Sequence, residues 1–187
     1  MPVAELLRLG APRPISRWGD PVLHSPARQV ADFGSDLQDL LADMFATNTA
    51  ANGAGLAAAQ IGTDLAVFVY DCTDETGVRR TGVVCNPVIQ VDQGQGRILV
   101  ELDEGCLSLP GAYAELARPE FSICRGQDQY GDPVEITAGG TLGRCLQHET
   151  DHINGMVFGD RLSRRRRKQL YQDHRDVADE YPDDWPA

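Results

Sequence analysis

The 187-residue chain has no apolar run long enough to cross a bilayer: its longest, Leu65 to Tyr70, falls far short of the roughly 20 residues a span requires. The first twenty residues also lack the basic-then-apolar layout of a secretory signal, so the expected location is cytoplasmic, with no membrane partner. Basic residues are few. Seventeen Lys and Arg against 28 Asp and Glu give a net charge of −11, which excludes sequence-independent clamping of nucleic acid by the whole surface, and no DNA partner is expected. The five cysteines, Cys72, Cys85, Cys106, Cys124 and Cys145, have no framework spacing and are odd in number. At least one thiol must stay unpaired within the chain, so reduced thiols fit better than a disulfide scaffold.

What is present is ordinary for a globular protein. Apolar residues make up 42% and charged residues 24%, which excludes a disordered, collagen-like or fibrous chain. At roughly 150 residues per domain the length suits one domain with a short appendage.

Residues 1–34 are rich in proline and carry Gly10, Gly19 and Gly34, which predicts an extended, turn-rich arm. From Ser35, the positions Leu37, Leu40, Leu41, Met44 and Phe45 follow i, i+3, i+4, i+7 and i+8, one face of an amphipathic helix. Ser35 and Gln38 have the spacing of a capping box, and Asn52 and Gly53 should stop the helix. Six short runs then read as strands: Leu65 to Asp71, Gly82 to Cys85, Val88 to Asp92, Arg97 to Asp103, Phe121 to Arg125 and Pro133 to Thr137. No helix-length segment separates them, so the pairing should be antiparallel and the class α+β.

After Gly139 and Gly140, Thr141 is placed to cap a second helix running to about Asn154, with Gly155 just beyond. Leu142, Cys145, Leu146, Glu149 and Ile153 share one stripe of it. A third helix should begin at Ser163, with Leu170, Tyr171, His174, Val177, Ala178 and Tyr181 on one face, and the acidic end beyond Tyr181 reads as disordered.

The sharpest chemical signal is His148-Glu149-Thr150-Asp151-His152. On a helix two histidines four apart point about 40° from each other and can hold one metal ion, while the glutamate reaches a water bound to it. A divalent metal needs a third protein ligand, and an open fourth position would make the site catalytic. Downstream candidates are Asp160 and the acids of the tail; upstream, Cys106 follows a predicted strand in Glu104-Gly105-Cys106-Leu107-Ser108-Leu109-Pro110, a stiff, proline-bounded segment. A third segment, Gly53-Ala54-Gly55-Leu56-Ala57-Ala58-Ala59-Gln60, has small residues that admit close backbone approach and one amide donor. It lacks the lysine and hydroxyl residue of a phosphate loop.

These three segments, in this order and at these separations, resemble the motifs of peptide deformylase, over roughly residues 12 to 163. The resemblance implies antiparallel sheets packed around a central metal-binding helix, with an N-terminal and a C-terminal helix. Residues 1–163 would be the catalytic domain and 164–187 a C-terminal helix and tail. It implies a metal held by Cys106, His148 and His152, Glu149 as acid and base, Gln60 and the Leu107 N–H at the oxyanion, and Gly53, Ala54, Gly55, Glu104 and Gly105 around the substrate. The substrate would be a formyl-methionyl nascent peptide and the product formate. Ligand rules alone suggest zinc; the resemblance implies Fe(2+), with Zn(2+), Ni(2+) or Co(2+) able to occupy the same ligands. Two rivals are a zinc metalloprotease with a downstream carboxylate ligand and a structural zinc module closed by Cys145.

Three further residues stand out. Ala54 replaces a larger aliphatic of the family at the lip of the methionine pocket. Arg144 lies one turn before His148, placed to pair with Glu104 or to narrow that pocket, and Arg118 falls where the family has a supporting arginine. Finally, six basic residues cluster in Arg161 to Lys168 at the start of a helix, where they oppose its dipole. Helix stability does not call for them, and a ribosome contact by a monomeric enzyme is the expectation.

Overall fold

Short β-branched runs with no room for crossover helices leave antiparallel pairing as the available solution. The computed structural model, which describes residues 1–95 and 97–187, shows that pairing throughout. Strands β1 (Gly55–Ala57), β2 (Val67–Thr73), β3 (Arg79–Val91), β6 (Ser122–Gln127) and β7 (Pro133–Ala138) form one sheet in the order β1-β2-β3-β6-β7. Strands β4 (Leu99–Gly105) and β5 (Tyr113–Pro119) form a separate two-stranded sheet, in register from Leu99 opposite Pro119 to Gly105 opposite Tyr113. The helices are α1 (Val3–Leu6), α2 (Ser35–Ala50), α3 (Gly140–Ile153) and α4 (Arg164–Asp176). This is the expected α+β plan, and α3 is its central helix, packed on β1, β2, β3 and β6.

The α2 stripe is buried as its periodicity predicts, with Leu37, Leu41, Met44 and Phe45 meeting Leu56, Val67 and Val69 from β1 and β2. Each large apolar side chain buried this way contributes roughly 1.5–3 kcal/mol, so this face ties the helix to the edge of the sheet. Several details differ from the sequence expectation. The runs Gly82 to Cys85 and Val88 to Asp92 belong to one strand, β3, interrupted by a bulge between Cys85 and Val88. There Asn86 adopts φ 52°, and its side chain bonds the backbone of Val30 and the amide of Gln127, which stitches the bulge in place. Ser35 and Thr141 do not cap their helices: Gly34 and Gly139 hold those positions. Gln38 instead reaches the amino terminus of Met1 and the Gln129 carbonyl.

Strand β5 was not expected. Its inward face carries Ala114, Leu116 and Arg118, and a buried arginine masks the alternation that marks a strand. The tail also departs from the expectation of disorder. Ile15 donates its N–H to the Trp185 carbonyl at 3.1 Å, and Arg17 Nη2 donates to the carbonyls of Tyr181 and Pro182, so the arm and the tail hold each other. Helix α4 begins after Ser163, whose hydroxyl caps it, and buries Leu170 and His174, whereas Ala178 is exposed. All five cysteines are free thiols, and burial pushes those of Cys85 and Cys124 up to about 12. Among the described residues no helix is long and apolar enough to cross a membrane.

Candidate metal centre

Helix α3 is unusual in burying polar residues along most of its length: Gln147, His148, Glu149, Thr150, Asp151 and His152 are all inside. Burial of such groups is tolerated only where partners or a ligand satisfy them. The two imidazoles lie one turn apart with ring centroids separated by 5.0 Å. Facing them, Cys106 begins the loop that joins β4 to β5, and its Sγ is 3.3 Å from His152 Nε2. The three ligating atoms fall within 4.8 Å of one another. One softer sulfur and two imidazole nitrogens at that spacing form a donor set suited to a divalent transition metal.

The loop is stiff for identifiable reasons. Leu109 N–H closes a turn on the Cys106 carbonyl at 2.8 Å, Trp18 N–H bonds the Ser108 carbonyl, and His174 of α4 bonds the Pro110 carbonyl. Ser108 N–H and Gln60 Nε2 both point at Cys106 Sγ, at 3.4 and 3.6 Å, and hold the sulfur in place.

Behind the ligands sits a charge network. Glu104 accepts from His148 Nδ1 at 2.7 Å, from Arg118 Nη2 and Nε at 2.6 and 2.8 Å, and from Arg144 Nη1 at 2.8 Å. Burial alone would raise the pKa of this carboxyl, but the Arg118 guanidinium and His148 outweigh it and hold the group well below the usual range. The carboxylate therefore fixes the His148 tautomer, with Nδ1 carrying the proton and Nε2 left for the metal. Burial would likewise lower the His148 pKa, yet the bonds to Cys106 and Glu104 raise it well above normal. His152 has no such partner; burial and the charge of His148 push it well below, and its Nδ1 is buried without a hydrogen bond.

Arg118 extends the network to Asp151 at 3.0 Å, and Arg161 pairs with the same carboxylate. Arg144 additionally donates to the carbonyls of Leu116 and Val100, so it pairs with Glu104 and the β4–β5 sheet while lining the cavity. Glu104 lines the cavity, but both of its oxygens are engaged by these cations, which makes it a positioning residue for His148.

A cavity of about 330 Å³ opens over the cluster, lined among others by Gly53, Ala54, Gly55, Gln60, Glu104, Gly105, Cys106, Leu107, His148 and Glu149. The structure thus brings together, at or beside one cavity, residues of three distant segments: Gly53 to Gln60, Glu104 to Leu107, and His148 to His152. Glu149 is 4% exposed, its Oε2 has no partner, and burial pushes its pKa up to about 7, the range in which a carboxyl both takes and gives a proton. Gln60 is held by Ala57 N–H on its Oε1 at 2.9 Å, which aims its NH2 towards Cys106 and Ser108. Leu107 N–H donates to no protein acceptor among the described residues. Gly55 is required by space: a Cβ there would lie 2.6 Å from Cys145 Sγ and 2.9 Å from Glu149 Oε1.

The rival ligands have other partners, although Cys145 lines the same cavity. Asp160 accepts from Val157 N–H and pairs with Arg167, and Cys145 donates to the Ala54 carbonyl at 3.5 Å. Sequence reasoning missed Asp151, Ser108, Tyr181 and Trp185. For Asp151 a signal existed, since a second acid inside a buried helix also needs a cation; Tyr181 and Trp185 carry no motif.

The sequence model of the family described as "Polypeptide deformylase" matches residues 12–168. "Peptide deformylase 1" of Streptomyces avermitilis is 50% identical over 173 residues, covering 92% of this chain and 80% of that protein. "Peptide deformylase" of Acidothermus cellulolyticus is 44% identical, covering 84% and 83%. Among solved structures, a peptide deformylase from Legionella pneumophila superposes with a TM-score of 0.81 at 39% identity, covering 91% of this chain and 97% of that one.

Proposed function

The chain belongs to the polypeptide deformylase family, and we propose that Cys106, His148 and His152 hold the metal of that chemistry with Glu149 as its proton carrier. The activity is hydrolysis of the formyl group from the amino-terminal methionine of nascent polypeptides, releasing formate. The observation that carries the site assignment is convergence. Three side chains able to ligate a metal lie within reach of one another, and a buried carboxylate with an unpartnered oxygen lines the cavity beside them.

The reaction is metal-dependent, and Fe(2+) is the physiological ion in this reading, with Zn(2+), Ni(2+) or Co(2+) able to take its place. When bound, the ion supplies Lewis acidity and a water acidified towards neutral pH. The protein supplies the rest. Glu149 takes a proton from the attacking water and delivers it to the amine nitrogen as the C–N bond breaks, so that water is consumed and formate and a free amino terminus leave. The Gln60 amide and the Leu107 N–H donate to the carbonyl oxygen as it gains negative charge, a contribution of several kcal/mol when donors are already aimed. Gly53, Ala54, Gly55 and Gly105 let the peptide backbone approach, and the small Ala54 side chain leaves the lip of the methionine pocket wide.

Formate release from formyl-Met-Ala-Ser by protein purified without oxygen, with its iron content measured alongside, tests this reading. Cys106→Ser should bind the metal more than about tenfold more weakly, because a hydroxyl is a poorer ligand than a thiolate. Unchanged affinity would remove Cys106 from the ligand set.

We read the enzyme as a cytoplasmic monomer whose residues 1–163 form the catalytic domain, with 164–187 clamped onto it through Leu170. Within the basic cluster, Arg161, Arg166 and Arg167 are paired with acids of the same chain. Arg164, Arg165 and Lys168 are the side chains left for a ribosome contact. Their replacement by Gln should abolish salt-sensitive co-sedimentation with ribosomes; co-sedimentation that survives it would remove the contact.

A further inference from the structure

We infer that the carboxy-terminal strap, through the rings of Tyr181 and Trp185, forms the outer wall of the substrate groove and recognises apolar surface on the peptide downstream of its formyl-methionine. The inference rests on the site assignment above for the direction in which the peptide lies.

Tyr181 and Trp185 line the same cavity as Cys106, His148 and Glu149. They are the lining residues beyond residue 168, where the match to the family model ends. The segment is strongly acidic: Asp179, Glu180, Asp183 and Asp184 are all exposed. Yet the two side chains it turns onto the cavity are the aromatic ones, and both are half-buried. A tail that served only as a solvated end would have no reason to sort its residues this way.

The strap is also built to stay in place. The Tyr181 and Trp185 rings meet nearly perpendicular, at 88° with centroids 5.2 Å apart, the edge-to-face geometry aromatic pairs favour. Arg17 donates to the carbonyls of Tyr181 and Pro182 at 3.1 and 3.0 Å, and its guanidinium lies 5.5 Å from the Trp185 ring centre. Ile15 N–H anchors the Trp185 carbonyl. Trp185 packs on the apolar cluster of α2 and β1 alongside Ala51 and Leu107. Tyr181 closes on Gly111, where a Cβ would come within 2.9 Å of its ring. Both contacts fall on cavity-lining residues. Glu149 and the ligands are buried while the two rings are half-exposed on the wall of the same cavity, which puts the rings within the path open to a peptide whose formyl group reaches Glu149.

The test compares a substrate that ends short of the strap with one that reaches it. For formyl-Met-Ala-Phe, Trp185→Ala and Tyr181→Ala should each raise KM about five- to tenfold with kcat unchanged. For formyl-methionine amide, KM should stay within about twofold, and Trp185→Phe should restore most of the loss on the longer peptide. An equal rise on both substrates would reduce the strap to a structural clamp and overturn the inference, as would an unchanged KM for the tripeptide. Binding gives a second readout independent of turnover. The chain has two tryptophans, so in a Trp18→Phe, Glu149→Gln background the emission reports Trp185 alone. It should shift saturably with formyl-Met-Ala-Phe and not with formyl-methionine amide; no shift with either would also overturn the proposal. Absent formate release from the parent enzyme would instead count against the assignment of Glu149 and the ligands, while the emission titration would still decide the strap.

Discussion

Glu149→Gln should keep its full complement of metal and lose about 10²–10⁴-fold in kcat, the range that a positioned proton carrier contributes. The change is nearly isosteric, and it leaves Cys106, His148 and His152 untouched. It also replaces a carboxyl whose burial raises its pKa to about 7 and whose Oε2 has no partner, so no ion pair is broken. Stability should therefore hold or rise slightly, since a neutral amide costs less to bury than a carboxylate. Metal stoichiometry, formate release and the unfolding midpoint measured on one preparation separate these effects. Turnover within tenfold of the parent would remove Glu149 from the proton path, and loss of metal would make it a ligand or a support for one.

How much of this was legible beforehand follows from what each residue needs. The ligand histidines were legible because helical spacing alone places them on one side of α3, and Glu149 because a carboxyl in an apolar stripe demands a reason. Cys106 needed more. From its own neighbourhood it was one of several candidate third ligands, and only its order relative to the Gly53 and His148 segments singled it out. Most of the main sheet was legible through its β-branched runs, but not β1, whose three small or apolar residues carry no alternation; β5 was hidden because Arg118 occupies an inward position, and the continuity of β3 because Asn86 and Pro87 interrupt its apolar run. Neither the caps of α2 and α3 nor the strap could be read. A cap depends on the φ of one residue, and the strap on contacts between Ile15 or Arg17 and residues about 165 positions away.

The same hidden arginine carries the second large effect. Arg118→Met, which keeps most of the volume, should destabilise the protein by about 3–5 kcal/mol at neutral pH, because removing one partner of a buried pair leaves charge without compensation. Glu104 would retain Arg144 and His148, and Asp151 would retain Arg161, which places the loss towards the lower end of that range. The pH dependence has a definite sign. The pKa of Glu104 is depressed in the folded state, so its contribution is fully present above the unfolded carboxylate range and is lost as the pH falls through the folded value. The gap between parent and variant should therefore be widest near neutrality and narrow on acidification below about pH 4. Urea unfolding at pH 7 and at about pH 3, below the ordinary carboxylate range, at one fixed metal concentration, measures it. In a double-mutant cycle, Glu104→Gln added to Arg118→Met should cost clearly less than the sum of the two single changes. Additive costs, or a gap that is the same at both pH values, would show that Arg118 stabilises the fold by packing alone, and would leave the orientation of His148 resting on Glu104 without its cation.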